Sequence, residues 1–497
     1  MKSVDLLLVN PFRTNKVGIF TLASYIRSKG FKVAITDGTF EDIAMEIGSY
    51  SSIKVLGVTA LTTEAEFAYK VCDYFKNKFK DSLCLIGGYH ATCSKEEIFK
   101  ESKFDIIVFG EGEETLYEIL SRKKLSEIKG IIYKDKNEII TNPQRDLIQD
   151  LDVIPFPAYD LIDMRDYFHH IRHSKGICKK TICLLVSRGC YFDCVFCCSK
   201  AMWRRRFRIH STDYIIELIK KLIDTYDMDS ISFLDDELVT NNKKMGDLCD
   251  KMIEMGISKK IKWSCHSTVL AINKEILNKM KDAGCVLVRI GIESGNQKTL
   301  SYLKSDAFTI ERNYEAIKIC NGVGINCFAS LLVGSPDEDL NSILDTIKFI
   351  ETSGVNYADV FVATPFPNTK LWDDAVSKGY LEKNLKWKDF FIDEDGMGKK
   401  SNPIVKNKYF TAKQILDMKR YIQFNLCDPL DFNKKPKKLN HEKELKKIVE
   451  GDTSMCKERS DIKLIKQKNK ILRKVKISIN NPKKVFHFIK RNIIKAT

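Results

Sequence analysis

Four cysteines, Cys190, Cys194, Cys197 and Cys198, fall within the short stretch SRGCYFDCVFCCSK at residues 187–200. Thiols so close together could hold a metal centre, pair as disulfides or pack as small apolar groups. The spacing Cys-x3-Cys-x2-Cys sets three thiolates on one short loop behind an apolar run, near enough to meet at one inorganic centre. A structural zinc site takes four protein ligands, usually as two separated pairs, and no second CxxC occurs. A 4Fe–4S cluster held by three thiolates keeps one iron open to another ligand. A cluster is therefore the first expectation. Zinc completed by Cys198 or a distant His, and inert thiols, stand as the alternatives.

Acidic residues follow other apolar runs in the same part of the chain: Asp235, Asp236 and Glu237 in FLDDELVT, and Glu293 with Ser294 in GIESGNQKTL. Carboxylates there can accept hydrogen bonds from an ammonium or a hydroxyl, or can serve as solvated loops and helix caps. Nearer the N-terminus, TALTTE (59–64), GGYHAT (87–92) and FGEGEE (109–114) bring small, polar and glycine residues to the ends of apolar runs.

The elements that would position these groups alternate strand-like and helix-like patterns. VDLLLVN, KVAITDG, IKVLGVTAL, LCLIGGYH and FDIIVFGEG, separated by amphipathic segments, describe five βα units over residues 1–120. Continuous apolar strands of this kind form a parallel sheet covered on both faces, with ligands at the strand C-terminal ends. Residues 121–180 read as a linker with a hairpin around KDKN and an extended IPFPAYD crossing. Six more units follow over residues 181–385, from TICLLVS to ADVFVATP, and fit an incomplete β/α barrel. Residues 386–430 carry the acidic FIDEDG and one helical pattern, FTAKQILDMKRYIQFNL, and residues 431–497 form a Lys-rich tail.

Bulk numbers agree with a multidomain globular chain. The 497 residues, 44% hydrophobic and 30% charged, are enough for about three domains. No apolar run approaches the ~20 residues of a membrane span. The opening MKSVDLLLVNPF reads as a buried strand rather than a signal peptide, so the cytoplasm is expected, where sixteen cysteines are poor candidates for disulfides. The net charge of +16 is local, because residues 431–497 hold 21 Lys and Arg against 7 Asp and Glu. That tail reads as a solvated extension that could touch an anionic membrane surface or a protein partner. With no basic face near the predicted site, nucleic acid is not expected as a partner.

With Phe196 as the aromatic residue of CxxxCxφC, the cysteine loop resembles that of the radical S-adenosylmethionine (SAM) enzymes. The resemblance implies that Cys190, Cys194 and Cys197 hold a 4Fe–4S cluster, with Cys198 a bystander. It also implies that SAM chelates the open iron and is cleaved to a 5′-deoxyadenosyl radical, with electrons from a flavodoxin- or ferredoxin-type donor. By the same likeness Phe196 lies against the adenine, Asp235, Asp236 and Glu237 meet the methionine amino group, and Glu293 and Ser294 meet the ribose and carboxylate. MWRRRFRIHS, FLDDELVT, GIESGNQKTL, LLVGSPDE and ATPFPNTKLWD follow the order of the subgroup with an N-terminal cobalamin-binding domain. Arg208 is a further candidate for the SAM carboxylate, although one arginine in a run of four is more often at the surface. Three places depart from the pattern: GSPDE replaces GLPGE, Pro367-Asn368-Thr369 replaces PGT, and Thr268 stands where relatives often carry Arg.

The fold implied is α/β: a flavodoxin-like, Rossmann-type cobalamin-binding domain, a partial (β/α)6 radical SAM barrel and a small, mostly helical C-terminal region. Thr62, Thr63, Gly87, Gly88, Gly110 and Gly112 are the residues implied to line the cobalamin groove. No DxHxxG motif supplies a histidine to cobalt, and His90 is better read as a structural loop residue. The expected activity is methylation of an unactivated carbon of a small-molecule or lipid substrate. Cyclisation, oxidation or rearrangement without methyl transfer is the near alternative, an RNA-modifying or RNA-binding iron–sulfur protein a more distant one, and a zinc-binding structural protein the last.

Overall fold

A computed structural model describes residues 2–12, 15–136, 138–174, 176–390, 404–427 and 439–456. Its first sheet runs in the order Val33–Gly38, Lys2–Pro11, Tyr50–Thr59, Leu83–Gly87, Ile106–Val108, Ile131–Asp135, Glu138–Thr141. The first five strands are parallel in the order 2-1-3-4-5 of flavodoxin-like folds. Both faces are covered, which is why these strands are apolar throughout rather than alternating. Helices Val17–Ser28 and Glu113–Leu120 bury Phe20, Ile26, Leu116 and Ile119 on one side, and Phe40–Gly48 and Ala65–Lys78 bury Ile43, Ile47, Val71 and Phe75 on the other. The hairpin expected within the linker instead extends this sheet. Ile131 to Tyr133 pair antiparallel with Ile106 to Val108, because that buried edge strand would otherwise leave its peptide groups without partners.

The second sheet runs Tyr357–Val362, Asn326–Val333, Cys285–Glu293, Lys262–Ser267, Ser230–Phe233, Gly176–Leu184, His169–His173. Six of its strands are parallel, as expected for a partial barrel, and His169–His173 is an antiparallel addition at the edge. Alternation along these strands sorts side chains sharply. Ile182, Ile231, Val288, Ile290, Ala329 and Val360 face the surrounding helices and are almost completely buried. The residues between them face the lumen. The hairpin 169–184 lies across the N-terminal mouth: Ile171 and Cys178 pack against Leu287 and Phe328, and the backbone N–H and hydroxyl of Ser174 donate to Asn326 Oδ1 at 2.9 and 3.1 Å.

The helix Ala412–Asn425 begins with a capping box between Thr411 and Gln414, and Gln423 Oε1 accepts the backbone N–H of Val360 on the edge strand at 2.8 Å. Part of the basic C-terminal segment is packed on the barrel. The helix His441–Val449 buries Leu445 and Ile448, and His441 bridges Tyr421 Oη (2.7 Å) and Glu351 Oε1 (2.9 Å). FIDEDG and residues 431–438 and 457–497 of the tail lie outside the described residues, and no helix among those described is long and apolar enough to cross a membrane.

The two sheets share one interface. Tyr159 and Tyr167 from the connector pack on Phe20 of the first domain, and a buried ion network sits beside them. Arg188, next to the cysteine loop, pairs with Glu111 at 2.6 Å and with Glu113, while Arg208 pairs with Glu111 at 2.9 Å. Burial alone would raise the Glu113 carboxyl, but the Arg188 charge and hydrogen bond outweigh it and hold the group below its ordinary 4.5. Glu113 therefore adds stability that is present above pH 4.5 and lost as pH falls through its lowered folded-state value. Glu111→Gln leaves both guanidiniums short of charge, and chemical denaturation of the metal-free protein is expected to show a loss of about 3–5 kcal/mol.

Candidate active site

The cysteine loop leaves the first barrel strand through a two-residue antiparallel pairing of Ser187 and Arg188 with Ile209 and Arg208. Gly189 then turns the chain at φ +91°, where a Cβ would sit 2.0 Å from the Arg206 carbonyl oxygen. Only glycine fits there. Beyond it, Val195 N–H donates to Leu303 O at 3.0 Å, Leu371 N–H donates to Val195 O at 2.9 Å, and Phe196 packs with Leu303, Leu332, Ala363 and Leu371. These contacts hold Cys190, Cys194 and Cys197 half-buried at the barrel's C-terminal rim. Burial pushes the Cys190 thiol up to about 11 and those of Cys194 and Cys197 up to about 12, so ionisation there requires a cation. Among the described residues no three His, Cys, Asp or Glu side chains come together closely enough for a single ion. Cys198 points elsewhere: it hydrogen-bonds Cys93 of the first domain, which raises its own thiol far above the usual range and lowers that of Cys93.

The acidic candidates divide by position. Asp235 is fully enclosed, and its Oδ1 accepts the backbone N–H of Val186 (2.9 Å) and both the N–H and hydroxyl of Ser187. It braces the exit of the neighbouring strand, and burial raises its carboxyl to about 7. Asp236, by contrast, sits beside the cysteines, accepts from Ser199 Oγ at 2.6 Å and is raised by burial. Glu237 is raised to about 8 by burial, and its Oε2 has no partner. Glu293 lies at φ +63°, a conformation few non-glycine residues adopt, directly after a register shift between Gly291 and Glu293. Its carboxyl is raised by burial and lies 3.4 Å from Lys304 Nζ. Ser294 faces away, hydrogen-bonding Thr346 Oγ1 and the Asn296 N–H.

Lys304 is the residue that motif reading missed. Almost buried, it donates to Gly291 O at 2.7 Å, and its charge eases ionisation of Cys190, Cys194 and Glu237. The signal was periodic: Leu300 and Leu303 are apolar, and Lys304 lies at i+4 from Leu300, on the buried face of the helix Gln297–Leu303. Arg208, considered for a ligand carboxylate, is instead committed to Glu111 and the Ile148 carbonyl.

The altered motifs keep their backbone shape. Asn368, where glycine was expected, adopts φ +62°, which asparagine tolerates, and Thr369 caps the helix Lys370–Ser377. Gly334 retains φ +92°, and Glu338 accepts its N–H, so Asp337 occupies an unstrained position in GSPDE. Thr268 is buried with its hydroxyl unpartnered.

A cavity of about 360 Å³ lies between the domains, lined by the first domain's strand ends and by Ser187, Arg188, Gly189, Trp203 and Asp236 of the barrel side. Gly87, Gly88, Gly110 and Gly112 are in its wall, with Gly88 at φ +90° and Gly110 at φ +75°. Aliphatic walls with so many missing Cβ atoms suit a large, flat cofactor. Thr62 and Thr63 are not in this wall. They lie in the turn after it, and Thr59, Ala60 and Leu61 take the place assigned to them. His90 is buried with both nitrogens engaged, by Tyr69 Oη (2.8 Å) and Ser94 Oγ (3.1 Å), and burial lowers it to about 3. The histidine in the wall is His210, whose Nδ1 meets Asp152 Oδ1 at 3.0 Å.

Gly189→Ala is expected to cost more than about 1 kcal/mol and to lower iron content after reconstitution. Gly322→Ala, inside the helix Ile310–Val323 with open space around the new methyl, is expected to gain about 0.5–1 kcal/mol. Thermal unfolding and iron assay read both.

Comparison with known proteins fits this geometry. Residues 184–350 match the radical SAM superfamily model and residues 5–120 the B12 binding domain model. An uncharacterized methyltransferase of Pyrococcus horikoshii is 32% identical over 86% of this chain and 93% of its own length. The anaerobic magnesium-protoporphyrin IX monomethyl ester cyclase of Cereibacter sphaeroides is 25% identical over 79% of this chain and 64% of its own. A solved structure of the cobalamin-dependent SAM radical enzyme OxsB, with aqua-cobalamin and SAM bound, superposes with TM-score 0.65 at 17% identity, covering 92% of this chain and 72% of that one. Its likeness extends to the fold. The chain belongs to the radical SAM enzymes that carry an N-terminal cobalamin-binding domain, and its cofactors are a 4Fe–4S cluster, SAM and cobalamin.

Proposed function

We propose that this chain is a cobalamin-dependent methyltransferase, acting in the cytoplasm on an unactivated carbon of a small-molecule or lipid substrate. The observation that carries the reading is the shared wall of the interdomain cavity: Arg188, Gly189 and Asp236 border both that cavity and the cysteine loop. Two cofactor sites that share these bordering residues can serve one substrate.

In this reading Cys190, Cys194 and Cys197 hold the cluster, and Lys304 offsets their charge. Asp236, Glu237 and Glu293 receive the ammonium and ribose of SAM; the unpartnered Glu237 Oε2 and the left-handed backbone of Glu293 support that role. Phe196 borders the adenine, while Asp235 and Ser294 position the strand ends. Gly87, Gly88, Gly110 and Gly112 admit cobalamin. When bound, the cofactors supply a carbon-centred radical and a methyl group. The protein holds the substrate between them and excludes water. Electrons come from a flavodoxin- or ferredoxin-type donor. A radical cyclase without methyl transfer is the second reading, favoured by the similarity to the Cereibacter enzyme.

Anaerobic reconstitution followed by iron, sulfide and cobalt analysis is the first test. Cys190→Ala, Cys194→Ala and Cys197→Ala are each expected to abolish 5′-deoxyadenosine formation, and Cys198→Ala to retain the cluster. Activity surviving in any of the first three refutes the assignment. With methyl-labelled SAM, a product heavier by one labelled methyl supports methyl transfer, whereas 5′-deoxyadenosine with an unmethylated product supports the cyclase reading.

A further inference from the structure

The barrel lumen is polar and open to one side. Register partners in parallel strands share a face, so Ser232, Ser264, His266, Arg289, Ser330 and Asp359 all point inward. Ser264 Oγ donates to Ser232 Oγ at 3.3 Å, and four of the six, His266, Arg289, Ser330 and Asp359, are only half-buried despite lying inside the sheet. The hairpin 169–184 closes the floor, so the opening is the C-terminal rim, where the cysteine loop and the cobalamin-binding domain stand.

Arg289 is the unusual member. Its Nη1 donates to Ser264 Oγ at 2.9 Å, and its guanidinium lies 5.9 Å from the centre of the Phe328 ring. Among the described residues no carboxylate forms an ion pair with it. Asp359 acts on it only at longer range and is held by Tyr357 Oη (3.1 Å) and Gln423 Nε2 (3.2 Å). A guanidinium enclosed without a counterion is costly, and the planar fork that remains is suited to an oxyanion. Arg289 pairs with Phe328 and Glu293 with Leu331, three residues further along that partner strand, which sets the Arg289 backbone about 10 Å below the rim. It is thus out of reach of a cofactor seated at the strand ends, and within reach of the far end of a substrate.

We infer that Arg289 is the anion anchor of the substrate site, and that the substrate is an acid, a carboxylate or a phosphate, whose oxyanion lies several bonds from the reacting carbon. Ser264 orients the fork, and the Phe328 ring stands beside it at the same level of the barrel. The inference rests on the radical reading above for the location of the reacting carbon, but not for the anion.

The test uses the anaerobically reconstituted enzyme with SAM, and equilibrium dialysis of decanoate, decyl phosphate and the neutral twin decanamide. The twin cancels the contribution of the apolar chain. Decanoate or decyl phosphate is expected to bind about tenfold more tightly than decanamide, the stronger of the two identifying the oxyanion. Arg289→Gln is expected to bring the ratio to about one, and Arg289→Lys to keep part of it, because a point charge replaces the fork. Equal binding of all three probes by the wild type overturns the inference, as does an unchanged ratio in Arg289→Gln with native circular dichroism. If Arg289→Gln loses its native signal, an unchanged ratio in Arg289→Lys overturns it and a reduced one supports it. Formation of 5′-deoxyadenosine by the wild type, measured in parallel, reports on the radical reading alone.

Discussion

Arg188 is the point on which the two halves of the molecule turn. It stands two residues before Cys190, and its guanidinium is buried between Glu111 and Glu113 of the first domain. A buried guanidinium is tolerable only with charged partners in good geometry. The pairing therefore fixes more than stability: it sets the distance between the loop that follows the fifth strand of one sheet and the loop that follows the first strand of the other. Both loops lie at strand C-terminal ends, where α/β sheets leave room for ligands. The interdomain cavity follows from that fixed approach.

The site itself gathers groups whose ionisation burial disfavours. Three thiols and the carboxyls of Asp236, Glu237 and Glu293 are raised by burial, and the compensating cation in their midst is Lys304. Burial disfavours the charged form of each, and Lys304 opposes that shift at Cys190, Cys194, Glu237 and Glu293. In the proposed reading an inorganic centre and a zwitterionic cofactor would bring fixed charge to these groups, so binding and proton release would be coupled. The strained backbone at Glu293 and the glycine turn at Gly189 belong to the same economy of space, holding rigid groups close before any ligand arrives.

The fold was legible because its signals are repeated. Eleven apolar runs alternating with amphipathic segments describe two parallel sheets whatever the individual residues, and the structure departs from that reading mainly at sheet edges. The hairpin 131–141 and the strand 169–173 are added there through backbone pairing, which side-chain patterning does not record. The cysteines stood out because their spacing is rare. The carboxylates were legible only as a group: FLDDE announces three acids, but which one braces Val186 and Ser187 and which faces the cysteines depends on the direction of the chain at the strand end. Thr62 and Thr63 fall outside the cavity wall for the same reason, in a turn that begins one residue beyond it. Lys304 and Arg289 carry no motif, and nothing in the local sequence distinguishes them from the other 80 lysines and arginines.

That contrast separates what recognises cofactors from what recognises substrate. Cofactor-side groups sit on loops at the strand ends, where backbone conformation is demanding and a local replacement has to reproduce it, as Asn368 does at φ +62° in place of glycine. Lumen-side groups sit on the strands, where any side chain satisfies the backbone and the pleat alone decides which way it points. Substitutions at Ser264, His266, Arg289 or Ser330 therefore change the chemistry of the lumen without disturbing the sheet or the rim. A barrel built this way can hold its cofactor apparatus constant and vary its substrate, which is why the motifs of this chain name the reaction class while the identity of the acid it accepts is written in residues between them.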